Sequence, residues 1–382
     1  NATASMQGKA QPWNVAIVLD ASGSMSTADA NCGSVTEFKC ATNGIQALLA
    51  STDPCPPGTT TCANADANFH VALFSFPGVS TSTVSYQNNC SGTTGTTPQF
   101  MEYILPPTNL TSYSPITYKS GTTSWTATYE VTYGTSDADA NGFVSDYYLP
   151  SGANGLNSSS SIVKAISGCL VPEPLNWQGS APQLQAASQG GITYYASVIY
   201  SAQAALAAEK RLHPDANNAI IFLSDGQANL VTSGNFPTAY TANPSGSGLN
   251  TLNSNGTYPS MKDECQQAIK AAQAAYSAGT TVYGVAYGSE QSGCTTGSGA
   301  TDTTLVATGN NQAFTIATLT PCVTIENIAS SLNDFYSDYK QSGSNVDTAC
   351  VDSSHTVSSL QGIFLSIGAT FTEPRLLPNN AK

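Results

Sequence analysis

Apolar and polar positions sort the chain into short apolar runs and longer stretches of helical period. Val15–Leu19, Phe69–Phe76, Ala219–Leu223 and Thr281–Tyr287 are nearly continuous apolar runs. Runs of this kind suit strands covered on both faces, as in a parallel sheet. Between them, Tyr194–Lys210 sets Tyr195, Val198, Ile199, Ala202 and Leu206 on one helical stripe. Met261–Tyr276 does the same with Cys265, Ala268, Ile269, Ala272 and Tyr276, and Ala278-Gly279 ends it with a residue suited to a left-handed cap. Val357–Ile367 aligns Val357, Leu360, Phe364 and Ile367. Shorter helices are predicted at Gly44–Ala50 and Ser158–Cys169, a further one over Ile325–Tyr339, and an edge strand at Gln312–Ala317. Strands alternating with helices predict an α/β fold: a doubly wound, mostly parallel central sheet with helices on both faces.

Two regions break the alternation. Residues 79–157 are rich in Ser, Thr, Tyr and Gly, with strand-like alternation at Thr126–Tyr133 and Val144–Leu149. The segment is too long for an ordinary connection and reads as a β/loop-rich insertion. Its many tyrosines and Trp125 are better explained as the insertion's own core and exposed strands than as a recognition surface. Residues 228–260, rich in Gly, Asn, Ser and Pro, form a loop insertion, and 372–382 a C-terminal tail without periodicity. The main domain then comprises residues 12–78 and 158–371.

Composition narrows the partners. Eleven Lys and Arg against twenty-four Asp and Glu give a net charge of −13 in 382 residues. So few scattered cations exclude a basic face for nucleic acid and disfavour adsorption to an anionic membrane. The ten cysteines include no CxxC pair. They predict disulfides and an extracytoplasmic, secreted or cell-surface location, with Cys32–Cys40 and Cys55–Cys62 as short-range pairs. No run of about twenty apolar residues spans a membrane. Export then requires a targeting segment ahead of this sequence, a cleaved signal or a membrane anchor, and membrane contact is expected only through it.

Ligands of open α/β sheets sit beyond the carboxyl ends of the strands. The first strand runs into Asp20-Ala21-Ser22-Gly23-Ser24, and the Ala219–Leu223 strand into Ser224-Asp225-Gly226. One carboxylate and two hydroxyls at alternate positions of a tight loop form an all-oxygen set suited to hard divalent cations. Singly, each of these residues is as well explained by a helix cap or an Asx-turn. Asp29, Asp53 and Asp66 read as solvated loop charges.

The run Val15–Met25, VAIVLDASGSM, resembles the first strand and DxSxS signature of von Willebrand factor type A domains. Gly190-Gly191-Ile192-Thr193 before a helix resembles that family's threonine element, and Ile221–Gly226 its aspartate element. The resemblance covers most of the chain and implies a Rossmann-like fold. It also implies a metal-ion-dependent adhesion site of Asp20, Ser22, Ser24, Thr193 and Asp225. In this family Mg²⁺ is usual, with Mn²⁺ or Ca²⁺ as alternatives, and an open coordination position accepts an acidic side chain from a protein partner. The disulfide-rich texture, the Ser/Thr-rich insertions and the tail Arg375-Leu376-Leu377-Pro378 also resemble bacterial TadG-like proteins of tight-adherence (Flp) pilus assembly. That resemblance implies pilus or envelope components as partners and makes Asn1–Gln11 a spacer after a membrane anchor.

An enzyme would need a poised acid, base or nucleophile. His70, His213 and His355 are far apart in sequence, and none lies in a GxSxG or HExxH motif. His70 reads as a strand residue, His213 as part of a surface turn before Pro214, and His355 as a cap of the last helix. No phosphate cradle accompanies Asp20 or Asp225. The expected role is therefore non-enzymatic: metal-dependent adhesion or pilus and envelope assembly. The alternative is a metal- and disulfide-stabilised surface scaffold without a metal-mediated ligand.

Overall fold

The structure, a computed structural model, describes residues 11–20, 23–55, 59, 66–76, 116–120, 123–127, 143–150, 152, 155–164, 166–167, 170–171, 184–185, 195–226, 228, 263–287, 319–338, 352, 354–355 and 359–372. Five strands build the central sheet: β1 (Trp13–Asp20), β2 (Phe69–Phe76), β3 (Asn217–Ser224), β4 (Thr280–Ala286) and β5 (Phe335–Ser337). Their spatial order is β5-β4-β3-β1-β2, and every pairing is parallel. All eight residues of β1 are buried, as its unbroken apolar run predicts.

Helices cover both faces. On one face α1 (Glu37–Ser51) and α5 (Leu360–Thr372) pack on Val15, Ile17, Leu19, Ile221 and Leu223. On the other, α2 (Tyr195–Leu212), α3 (Glu264–Ser277) and α4 (Pro321–Ile328) pack on Ala16, Val18, Ile220 and Phe222. Successive strand residues thus serve opposite cores. Phe222 is wholly buried, and truncating such a side chain to Ala costs about 3–5 kcal/mol.

The local chemistry of the elements is explicit. Thr36 caps α1 by accepting from the Lys39 amide, and Thr320 caps α4 at the Val323 amide ahead of Pro321. Gly44 lets α5 approach α1. A Cβ at that position would stand 2.4 Å from the Phe364 ring.

The sequence-based boundaries shift in places. The helix predicted at Gly44–Ala50 runs over Glu37–Ser51, and the last helix lies at Leu360–Thr372 rather than Val357–Ile367. Within Ser158–Cys169 the described α-helix is Ser161–Lys164. The helix expected over Ile325–Tyr339 is a correction: α4 ends at Ile328, and Phe335–Ser337 forms β5. The cause is Ser330. Its amide donates to the Val282 carbonyl at 2.8 Å, while its hydroxyl accepts from the Val282 amide at 2.7 Å. These bonds pull the chain out of the helix and onto the sheet.

In the 79–157 region, Ile116–Ser120 and Thr123–Ala127 pair antiparallel. Val144–Leu149 is not a continuous strand. Val144 makes one antiparallel bridge to Val71, and Tyr148 another to Leu156. The Thr126–Tyr133 strand beyond Ala127, the Gln312–Ala317 strand, the 228–260 loop beyond Ala228 and the tail after Thr372 lie outside the described residues. Cys32 and Cys40 form the expected disulfide, and Cys55, Cys265 and Cys322 are disulfide-bonded too. Cys62 lies outside the described residues. No helix among the described residues is long and apolar enough to cross a membrane.

Candidate metal centre

β1 and β3 are neighbours, and the chain leaves them in opposite directions: β2 flanks β1 on one side, β4 flanks β3 on the other. This reversal is the topological switch point, where open α/β sheets bind ligands. The register pairs Leu19 with Leu223, which sets Asp20 beside Ser224 at the carboxyl edge. Asp20 is fully buried and accepts a hydrogen bond from the Ser224 hydroxyl.

Just past the strand end, half-buried Asp225 accepts from the Ser24 hydroxyl at 2.9 Å. Asp20 stands close enough to Asp225 to bear on its carboxyl, partly offsetting the upward push of burial. Residues 201 and 204 positions apart in sequence therefore meet at one point. Three of the five residues predicted from sequence are brought together. Ser22 and Thr193 lie outside the described residues. Tyr195, the first residue of α2, ties its helix to this edge: its hydroxyl lies 2.8 Å from the Ser224 hydroxyl and donates to the Gly226 carbonyl.

Further acids converge here that sequence reading did not single out. Glu37, at the start of α1, stands beside Asp225, and the two carboxyls shift each other's titration. Burial, and then the Glu37 carboxyl, push the Asp225 carboxyl up to about 7. Burial raises Glu37 also, helped by the charges of Asp29, Asp338 and Asp20. Asp29 corrects an expectation. It is not a solvated loop charge, for it accepts from the Tyr287 hydroxyl and from the Asn31 amide, each at 2.7 Å. Burial and Asp29 hold the Tyr287 phenol well above its usual range. Glu37 opens the helix that follows β1, seven residues ahead of the start predicted at Gly44, so it was not legible as part of the site. Asp53 caps a turn at the Cys55 amide.

The donor set fits a hard divalent cation. It consists of carboxylates and hydroxyls, with no sulfur or imidazole. Two carboxyls held this close cannot both ionise without help, and a dication would reverse the shift at Asp225.

Two other groups gather metal-type donor atoms within 4.8 Å of one another: Asp29, Cys32 and Cys40, and His70, Glu209 and His213. The first is set aside, because its sulfurs are joined as a disulfide and are not thiolates. His355 does not cap the last helix. Its Nδ1 lies 2.9 Å from Asp352 Oδ2 and its ring stacks on Tyr336.

No protein-family model matches the chain, and no curated protein is recognisably similar to it. Among solved structures, it matches the pilus adhesin SpaC from Lactobacillus rhamnosus GG at 15% identity and a TM-score of 0.40. That match covers 96% of this chain and 31% of SpaC. Proximal thread matrix protein 1 from the mussel byssus matches at 10% identity and a TM-score of 0.35, over 94% of this chain and 49% of that one. Human COPII-coat protein Sec24c matches at 11% and 0.32, over 87% and 30%. The chain thus spans about a third to a half of the proteins it matches. By name these are an adhesin, a matrix protein and a coat protein. At these scores the matches carry no argument about the site, and the fold rests on the sheet order itself.

Proposed function

We propose that the chain is a von Willebrand type A domain that works outside the cytoplasm, binding a protein partner through a divalent cation. The domain comprises residues 12–78 and 158–371, with 79–157 and 228–260 as insertions. Asp20, Ser22, Ser24, Thr193 and Asp225 hold the ion, most suitably Mg²⁺. One observation carries the reading: the Ser24–Asp225 hydrogen bond, beside buried Asp20 at the switch point. When bound, the ion supplies an electrophilic position that an acidic side chain of the partner can occupy. The chain's own residues orient that position. Ser224 fixes the Asp20 carboxylate, and Tyr195 fixes Ser224 and the Gly226 turn.

Several disulfides support an oxidising compartment. Within that setting we read the chain as a TadG-like component of pilus or envelope assembly. The test is calorimetric titration of Mg²⁺ into the wild type and Asp20→Ala. Loss of affinity in the variant is expected, and unchanged affinity rejects the assignment. Treatment with EDTA separates adhesion from scaffolding. Partner binding lost while the fold persists supports adhesion, whereas melting that collapses with no partner captured supports the scaffold.

A further inference from the structure

The opposite end of the same sheet carries a second polar cluster. His70, Asn14 and Asn218 are the second residues of β2, β1 and β3, and the register places them side by side. All three are buried on the face covered by α2. The Asn14 Nδ2 donates to Asn218 Oδ1 at 3.0 Å, and Asn218 Nδ2 donates to the Leu206 carbonyl of α2 at 3.2 Å. The last turn of α2 adds Glu209, fully buried, and the chain just beyond it adds His213. Two of the three histidines in the whole sequence therefore meet here, with ring centroids 3.8 Å apart.

We infer that His70, Glu209 and His213 form a binding site for a transition-metal ion of the Zn²⁺ type at the amino end of the sheet. The donor atoms all lie within 4.8 Å of one another. His213 Nε2 and Glu209 Oε1 are 3.5 Å apart. Two ligands on a tetrahedron with bonds of about 2.0–2.1 Å stand roughly 3.4 Å apart, so this pair already spans one edge. Two imidazole nitrogens and one carboxylate select Zn²⁺-like ions over Mg²⁺, and they leave a fourth position for water. Glu209 and His213 stand one turn apart across the end of α2, and the His213 amide still donates to the Glu209 carbonyl at 2.9 Å.

The rings lie over each other with a 24° tilt. Loading requires one to turn about its Cβ–Cγ bond until both lone pairs converge. His213, whose side chain is 16% exposed, gives an ion a way in. Asn14 Oδ1 is buried without a hydrogen-bond partner among the described residues. His70 is the register partner of Asn14 on β2, and a metallated His70 would need such an acceptor for its ring N–H to fix its tautomer. The ion would lock the end of α2 to β2.

The probe is Co²⁺, titrated into the full chain and followed by its visible absorption. The expected result is the intense spectrum of a low-coordinate site. It should be displaced by Zn²⁺, retained in Asp225→Asn, and weakened at least about tenfold in His213→Ala and Glu209→Gln. Absence of the spectrum in the wild type, or its persistence at full affinity in His213→Ala, overturns the proposal. So does its loss in Asp225→Asn. Should a variant misfold, the wild type still decides. Zn²⁺, but not Mg²⁺, should block acylation of His213 by diethyl pyrocarbonate, read by mass spectrometry, and equal labelling with Zn²⁺ overturns the proposal.

Discussion

The two ends of the central sheet break its apolar pattern in different ways. At the carboxyl end, acids and hydroxyls from loops and helix starts gather into an oxygen-only set around Asp20 and Asp225. At the amino end, nitrogen-bearing side chains rise from inside the strands: His70, Asn14 and Asn218 in one row, with Glu209 and His213 from α2. The first arrangement suits a hard cation and the second a borderline one. A single fold thus presents two donor chemistries separated by the length of its strands. Metal preference should sort by pole.

The largest expected effect is loss of Mg²⁺ binding. Asp225→Ala should weaken affinity far more than the ten- to hundredfold typical of outer-sphere changes. Cobalt binding at the other pole should stay intact. Calorimetry with both ions checks the separation.

Next is pH. In the cation-free protein, Asp225 titrates near 7 and Glu37 also sits above its ordinary value. A carboxyl whose folded pKa exceeds its unfolded one favours the fold most below the unfolded pKa. That contribution fades as pH rises through the folded value. Melting temperature should therefore fall between about pH 4 and pH 7.5 without divalent ions, and saturating Mg²⁺ should remove the fall. A flat cation-free profile would show that burial does not hold the Asp225 proton.

A smaller effect is expected from the Cys32–Cys40 disulfide, which closes the short loop between Asp29 and the first turn of α1. Replacing both by Ser should cost about 2–3 kcal/mol on loop-entropy grounds. It should weaken Mg²⁺ binding and leave the His70 pole unchanged. Smallest is Asn218→Ala, which strands the buried Asn14 amide at about 1–3 kcal/mol. It should perturb cobalt binding without touching Mg²⁺.

The contrast also explains what could be read from sequence. Apolar runs predicted four of the five sheet strands, because continuous burial leaves a local mark. Phe335–Ser337 was missed, since its pairing depends on Ser330 gripping Val282, a contact no periodicity encodes. Asp20, Ser24 and Asp225 stand in compact motifs just past strands, so their meeting could be foreseen. Glu37 and Asp29 reach the same edge only through the path of the loop and helix after β1. The histidine pole was invisible. His70 and His213 are 143 positions apart in sequence, and only the β1–β2 register and the length of α2 bring them together.

The most direct measurement is anomalous diffraction from crystals of the full chain soaked in Mn²⁺. The expected peak lies between the Asp20 and Asp225 carboxylates, within coordination distance of the Ser24 hydroxyl. Density absent there, or found only beside His70 and His213, would contradict the central claim.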